Sequence, residues 1–168
     1  MIVVPYIFSH DSIAEAVKQE SSLYAERKQT AEGDNLFEEL VFDEEYYRKF
    51  RELFFDAQAM VIDRFGAYMQ YETDDDATSI FEEADYSENV DFYFVLVMPC
   101  SYNKVYNKQV SIKTREYIVA YIMYRWLETK SPEEAAVYKT RSEMTLIDAR
   151  AYLEKRIAGR RRSAGNMF

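Results

Sequence analysis

The sequence predicts a mainly α-helical protein: a helical bundle with a C-terminal antiparallel helical hairpin and room for one short β segment. Three observations lead there. Four Gly and three Pro in 168 residues are too little turn chemistry for a multi-stranded sheet, which needs a punctuated hairpin every few residues. Apolar side chains recur at steps of three and four over long stretches, the signature of one buried helical face. The sequence "TKSPEEAA" at 129–136 then interrupts that periodicity with the residues that start a new helix. A chain that is 48% hydrophobic and 16% aromatic, with 15 Tyr and 11 Phe, has enough apolar surface to fold despite its 30% charged residues. Its length suits one domain, residues 1–158, followed by a basic tail, 159–168. No internal repeat is visible.

The elements follow in order. Ser9 or Asp11 can cap a first helix whose apolar positions are Ile13, Ala16, Val17 and Tyr24, with Gly33 as its latest end. Asp43 is expected to cap a second, with Glu44 and Glu45 in its first turn where the helix dipole favours anions. Tyr46, Phe50, Leu53, Phe54, Ala57, Met60, Val61, Phe65 and Tyr68 form its apolar stripe. Residues 72–91 hold nine carboxylates and no Lys or Arg, and self-repulsion makes this a solvated connection. "DFYFVLVMP" follows, which fits a short buried strand ended by Pro99 and a turn of core helix equally well. From about 108 to 129 the pattern is helical, and "YIVAYIMY" in its middle is apolar on every side, as in a helix surrounded by others. Ser131 reads as the next N-cap, Pro132 as the first helical residue and Glu134 as the partner in a capping box. The inward face of this last helix is Ala135, Tyr138, Ser142, Leu146, Ala149, Leu153 and Ile157, and Gly159 ends it. The short link makes the two helices antiparallel. Trp126 is expected to be buried against the last helix beside Tyr138.

The chemistry the residues exclude is as informative. One histidine, His10, read as lying outside any helix, cannot supply the two Glu-x-x-His helices of a di-iron bundle or the ligand set of a catalytic zinc. "SHD" at 9–11 holds the letters of a hydrolase triad, but triad members meet through folding, and these read as helix-start residues. Cys100 stands alone, so there is no internal disulfide and no thiolate cluster; it is expected to be a packed thiol in a reducing compartment. Four scattered glycines form no phosphate loop. Asp74, Asp75 and Asp76 could hold a hard cation, but the EF-hand spacing is missing and a solvated loop is the better reading. No metal and no cofactor is predicted. "MIVVPYIFSHD" lacks the parts of a signal peptide, and the longest apolar runs, 7 and 8 residues, fall short of the roughly 20 that span a membrane. A cytoplasmic protein without membrane contact is expected.

Charge supplies the remaining signal. Lys155, Arg156, Arg160, Arg161 and Arg162 oppose only Glu154 in residues 154–168, which therefore carry +4 against −13 for the rest, the two adding to the net −9. Such a tail can be a solvated terminus, can touch nucleic acid, or can reach the acidic surface of a neighbouring copy; the last suits the acidic body best. Isolated surface ion pairs contribute only about 0–1 kcal/mol, so several pairs or the apolar ends Met167 and Phe168 would be needed.

The segment "REYIVAYIMYRWLETKSPEEAAVYKTRSEMTLIDARAYLEKR", residues 115–156, resembles the C-terminal helical hairpin of small phage and prophage proteins of the head-tail connector or adaptor type. The shared features are an aromatic-rich helix ending in "YRWLE", a Pro-started turn, and a long helix with "EEAAVY" and "LIDARAYLEKR". The resemblance covers about a quarter of the chain and implies a ring-forming, non-enzymatic virion part. The expectation is thus a homo-oligomeric assembly protein that also meets other phage structural proteins. Its contacts would join Arg160, Arg161, Arg162 and Phe168 to Asp74, Asp75, Asp76, Glu82 and Glu83, with nucleic acid reached only through the tail. The competing expectation is a small acidic adaptor or regulatory domain that binds a host protein, with its carboxylates mimicking nucleic acid.

Overall fold

A computed structural model describes residues 1–32, 41, 46–69 and 89–157 of the chain, with the side chains of 29–32 excepted. Its described elements are strand β1 (Ile2–Phe8), helix α1 (His10–Glu32), helix α2 (Tyr47–Phe65) with a 3-10 turn at Gly66–Tyr68, strand β2 (Phe92–Met98), a 3-10 turn at Lys104–Tyr106, helix α3 (Asn107–Leu127) and helix α4 (Pro132–Leu153). The protein is mainly α, with one two-stranded sheet.

The central helix is α3. Tyr117, Ile118, Val119, Ala120, Ile122 and Met123 are all buried, as a run apolar on every side requires, and α1, α2, α4 and β1 pack around it. Its bounds differ slightly from the expected 108–129 because the turn after Leu127 closes early: the N–H groups of Lys130 and Ser131 both donate to the Leu127 carbonyl. That turn folds α4 back along α3 as the expected hairpin, with Ala135, Ser142, Thr145, Leu146, Ala149 and Leu153 inward. Tyr138 is half-buried.

Several expectations about helix ends are corrected. Pro132 opens α4, but the Ser131 side chain makes no capping bond, and Glu134 closes no capping box with it. The hydroxyl instead accepts from Tyr24 Oη at 2.9 Å, so Ser131 ties α1 to the hairpin turn. Helix α4 stops at Leu153, and Ile157, expected on its inner face, lies past the end and is exposed. Arg156 Nη1 donates to the Leu153 carbonyl at 2.7 Å and supplies the cationic C-terminal partner that a helix dipole favours; Gly159 lies outside the described residues. The backbone then returns along the turn after β2, Ile157 N–H donating to the Ser101 carbonyl at 2.8 Å. Tyr102, fully buried, anchors that turn through its hydroxyl, which donates to Asn107 Oδ1 at 2.7 Å.

Helix α1 begins after Ser9, whose carbonyl accepts from Ile13 N–H and whose Oγ lies 3.5 Å from Ser12 N. A second cap comes from far along the chain: Asp91 Oδ1 accepts from His10 N–H at 2.8 Å. His10 is thus the first residue of a helix rather than outside one, and its ring is buried edge-on against Phe50 and Phe54 at centroid distances of 5.0 and 5.6 Å. Helix α2 starts at Tyr47 with Tyr46 at its N-cap and no side-chain cap; Asp43, Glu44 and Glu45 lie outside the described residues. Its stripe Phe50, Leu53, Phe54, Ala57, Val61 and Phe65 is buried, whereas Met60 points outward.

The segment "FYFVLVM" is a strand, and it needed a partner the periodicity did not announce. β1 pairs with β2 antiparallel, Val3 opposite Val97, Pro5 opposite Val95 and Ile7 opposite Tyr93. Proline is tolerated because β1 has an outer edge with no neighbouring strand among the described residues. Inward, Val4, Tyr6, Phe8, Phe92, Phe94, Leu96 and Met98 join the core, with Tyr6 and Phe8 stacked on Phe94 at 5.3 and 6.0 Å. Beyond the outer edge of β2, Met69 bridges to Leu96.

Removing either hydroxyl of the Tyr24–Ser131 pair is expected to lower stability by about 1 kcal/mol. Ser131→Ala and Tyr24→Phe should each lower the melting temperature, and the double variant should fall no further than the worse single one. Additive losses in thermal denaturation would show that the two groups act independently.

Trp126 is buried, but its neighbour is Tyr46 rather than Tyr138, the rings meeting edge-on at 4.7 Å. Lys130 Nζ sits 3.2 Å from the Trp126 ring centroid and completes a cation–π cover. Iodide should therefore quench Trp126 emission far less than free tryptophan, and Tyr46→Ala should raise the quenching several-fold while leaving helix content unchanged. Efficient quenching of the unaltered protein would remove Trp126 from the core.

Candidate functional site

Both strands carry apolar residues on both faces, and that is unusual for an antiparallel pair. Such a sheet with one solvated face normally alternates apolar inward and polar outward. Here the outward positions are Val3, Pro5 and Ile7 on β1 and Tyr93, Val95 and Val97 on β2. Val3, Ile7 and Tyr93 are 61, 67 and 61% exposed, and Val95 and Val97 are half-buried. The register sets these six side chains opposite one another in three pairs, so the face is continuous and carries no charge. Covering such a face yields about 25 cal/mol for each Å² of apolar surface removed from water.

Beside this face, along the free edge of β1, runs a groove of about 520 Å³. Its far wall is the start of α3, with Lys104, Asn107, Lys108 and Ser111. Lys104 and Lys108 are exposed and form no ion pair among the described residues. A second groove of about 540 Å³ lies between α3 and α4, where Val137 and Met144 stand exposed among Lys113, Glu116, Arg141 and Asp148.

The residues singled out from the sequence fare differently. Asp74, Asp75, Asp76, Glu82, Glu83, Arg160, Arg161, Arg162 and Phe168 all lie outside the described residues. Of the five basic residues near the C-terminus, Lys155 and Arg156 are described, and Arg156 is engaged in ending α4. Cys100, expected to be packed, is exposed in the turn after β2; Pro99 ends the strand and turns the thiol outward. In "SHD" the His10 ring faces the core, its Nδ1 3.0 Å from Asp11 Oδ1, while Ser9 Oγ faces the α1 backbone. No group of three His, Cys, Asp or Glu among the described residues could hold a metal ion, and no described helix is long and apolar enough to cross a membrane. The outer sheet face went unread in the sequence, although "IVVPYIF" and "FYFVLVM" both lack the polar alternation of a half-solvated strand.

Underneath, the core is rich in phenols. Burial pushes the Tyr6 hydroxyl far above its usual range, with the adjacent Tyr102 adding to the shift. Burial does the same to Tyr117, with a contribution from Tyr121. Tyr138 is raised by burial and by Glu20, whose carboxylate accepts from its hydroxyl at 3.2 Å and also pairs with Arg141.

No family model, no curated protein and no solved structure matches this chain.

The phenols set the response to alkali. In an unfolded chain tyrosine ionises near pH 10, and in the folded one Tyr6, Tyr117 and Tyr138 hold their protons to higher pH. The stability they contribute is complete below about pH 10 and is lost as pH rises above it, because the unfolded state releases protons first. Phenolate absorbance and helical circular dichroism should therefore change together in a steep transition. Gradual ionisation of all tyrosines with the helices intact would contradict this placement.

Proposed function

We propose that this chain is a non-enzymatic assembly protein, a subunit of the phage head-tail connector type, which works by binding copies of itself and other virion proteins. The observation that carries the reading is the uncharged outer face of the sheet, with Val3, Ile7 and Tyr93 exposed in a chain that is 30% charged. Solvated strands do not need six apolar outward positions; strands covered in an assembly do. The resemblance of 115–156 to connector hairpins supports the same class, and the basic residues 160–162 add a second means of joining neighbours. The competing reading, an acidic adaptor that binds a host protein, draws on the net charge of −9, but an acidic adaptor would present carboxylates at its contact surface rather than this apolar face.

The test is genetic. In the host genome the gene should lie among those for capsid, portal and tail proteins. Its deletion should leave filled heads and free tails unjoined when lysates are viewed by electron microscopy. The unaltered gene should restore joining, and Ile7→Asp should restore it at least tenfold less well. Normal virions from the deletion strain would overturn the connector reading.

A further inference from the structure

Helix α4 carries a second, narrower apolar stripe on the side away from the core. Its inward residues include Ala135, Ser142, Leu146, Ala149 and Leu153. On the opposite face stand Val137, Thr140, Met144, Ile147 and Ala151, all exposed, with Val137, Met144 and Ile147 at 61, 63 and 53%. They recur at steps of three, four, three and four, the heptad spacing of a coiled-coil seam. Packing on α3 cannot account for them, because they face away from it. Charges line both sides of the seam. Arg141 and Asp148 stand on the side of the groove of about 540 Å³ shared with α3. Glu143 and Arg150 stand on the other, where Glu143 borders Met60 and Asp63 of α2.

We infer that α4 packs against α4 of a second copy as an antiparallel two-helix coiled coil, with the two-fold axis crossing the seam between Met144 and Ile147. This rests on the assembly reading above and gives it a specific contact. A two-fold contact must be self-complementary, and this one is so in its apolar and its charged positions at a single register. Met144 of one copy lies over Ile147 of the other, twice about the axis, and Thr140 lies over Ala151 on either side. The same register sets Arg141 against Asp148 and Glu143 against Arg150 of the other copy, each pair again occurring twice. Parallel packing would instead set Glu143 against Asp148, and Arg150 against Lys155 just past the helix end. Like charges brought together oppose association and unlike charges favour it, so the flanking charges choose the antiparallel arrangement.

These charges are not matched to each other inside one copy. Arg141 and Asp148, like Glu143 and Arg150, are two turns or about 10.5 Å apart along the helix, beyond the three- and four-residue spacings that pair on a single helix. Arg141 donates to Glu20 through Nη1 and Arg150 to Glu154 through Nε, and each guanidinium keeps donors for a second carboxylate. Size sets the strength. The seam from Val137 to Ala151 is about 21 Å long, and one pair of helices buries less than the roughly 800 Å² per partner of a standard stable complex. Two chains at −9 each also repel at long range, so the dimer is concentration-dependent.

Sedimentation velocity of the full chain over a concentration series is the test, with circular dichroism confirming the fold of each variant. The unaltered protein should pass from monomer to dimer as concentration rises. Met144→Asp and Ile147→Asp should each weaken that at least tenfold; both sites face solvent in the single copy, so the fold should survive. Glu143→Arg should weaken the dimer several-fold, and adding Arg150→Glu should restore it, because the swapped pair is again of opposite sign. A Glu143→Arg variant that dimerises as well as the unaltered chain, or better, would overturn the antiparallel register. Orientation is also read in a Cys100→Ser background by mixing two single-cysteine proteins with a bis-maleimide of about 10 Å reach, the spacing of packed helices. Thr140→Cys should join to Ala151→Cys, whereas joining of Thr140→Cys to itself would overturn the register. A chain that stays monomeric at all concentrations, or dimers untouched by Met144→Asp and Ile147→Asp, would overturn the contact itself. Dimerisation with normal virions from the deletion strain would leave this contact standing and remove the connector reading; unjoined heads with a strictly monomeric chain would do the reverse.

Discussion

The middle of α3 exposes apolar side chains in every direction, and a helix of that kind is stable in water only when each direction is covered. Helix α4 covers one side through the hairpin; α1, α2 and β1 cover the others. Each covering element is consequently amphipathic, or in the case of the sheet apolar on its inner face, and each is held in place by contacts distant in sequence. Glu20 of α1 accepts from Tyr138 and pairs with Arg141 of α4, while Tyr24 bonds to Ser131 at the hairpin turn. These polar links sit at the margin of the core, where a charged or hydroxyl group can be satisfied without full desolvation.

The sheet follows from the same constraint and adds one of its own. Two strands are marginal alone, but here they are clamped by the stack of Tyr6, Phe8, Phe92 and Phe94 over Phe65. The clamp holds the inner face, and the pleat then fixes which residues point outward. Sequence pressure for an apolar outer face cannot come from the core, since Val3, Ile7 and Tyr93 touch solvent.

Charge is arranged to similar effect. Arg156 ends α4 and Asp91 caps α1 from 81 residues away, so charges that look like parts of a basic tail and an acidic run serve local backbone needs. The cations left over at the sheet, Lys104 and Lys108, come from the 3-10 turn before α3 and from the first turn of α3, within a stretch, 92–115, that holds four Lys or Arg and no Asp or Glu.

Helix periodicity, the apolar run of α3 and the Pro132 break were legible in the sequence because each depends on neighbours within a few residues. The same locality explains the mainly α class and the hairpin. What the sequence left open was decided by partners far along the chain. "FYFVLVM" became a strand because Ile2–Phe8 was available to pair with it, and no short window contains both. Ser131 lost its capping role because Tyr24 offered its hydroxyl a partner 107 residues away, and Trp126 packed on Tyr46 because α2 begins beside it. Ile157 left the last helix because Ser101 and Arg156 turned the backbone away after Leu153. The outer sheet face belongs to the same group: its β2 residues Tyr93, Val95 and Val97 lie in a run that reads as core in sequence, and only the pairing of two strands, with the core on one side, shows that they and Val3, Pro5 and Ile7 face out.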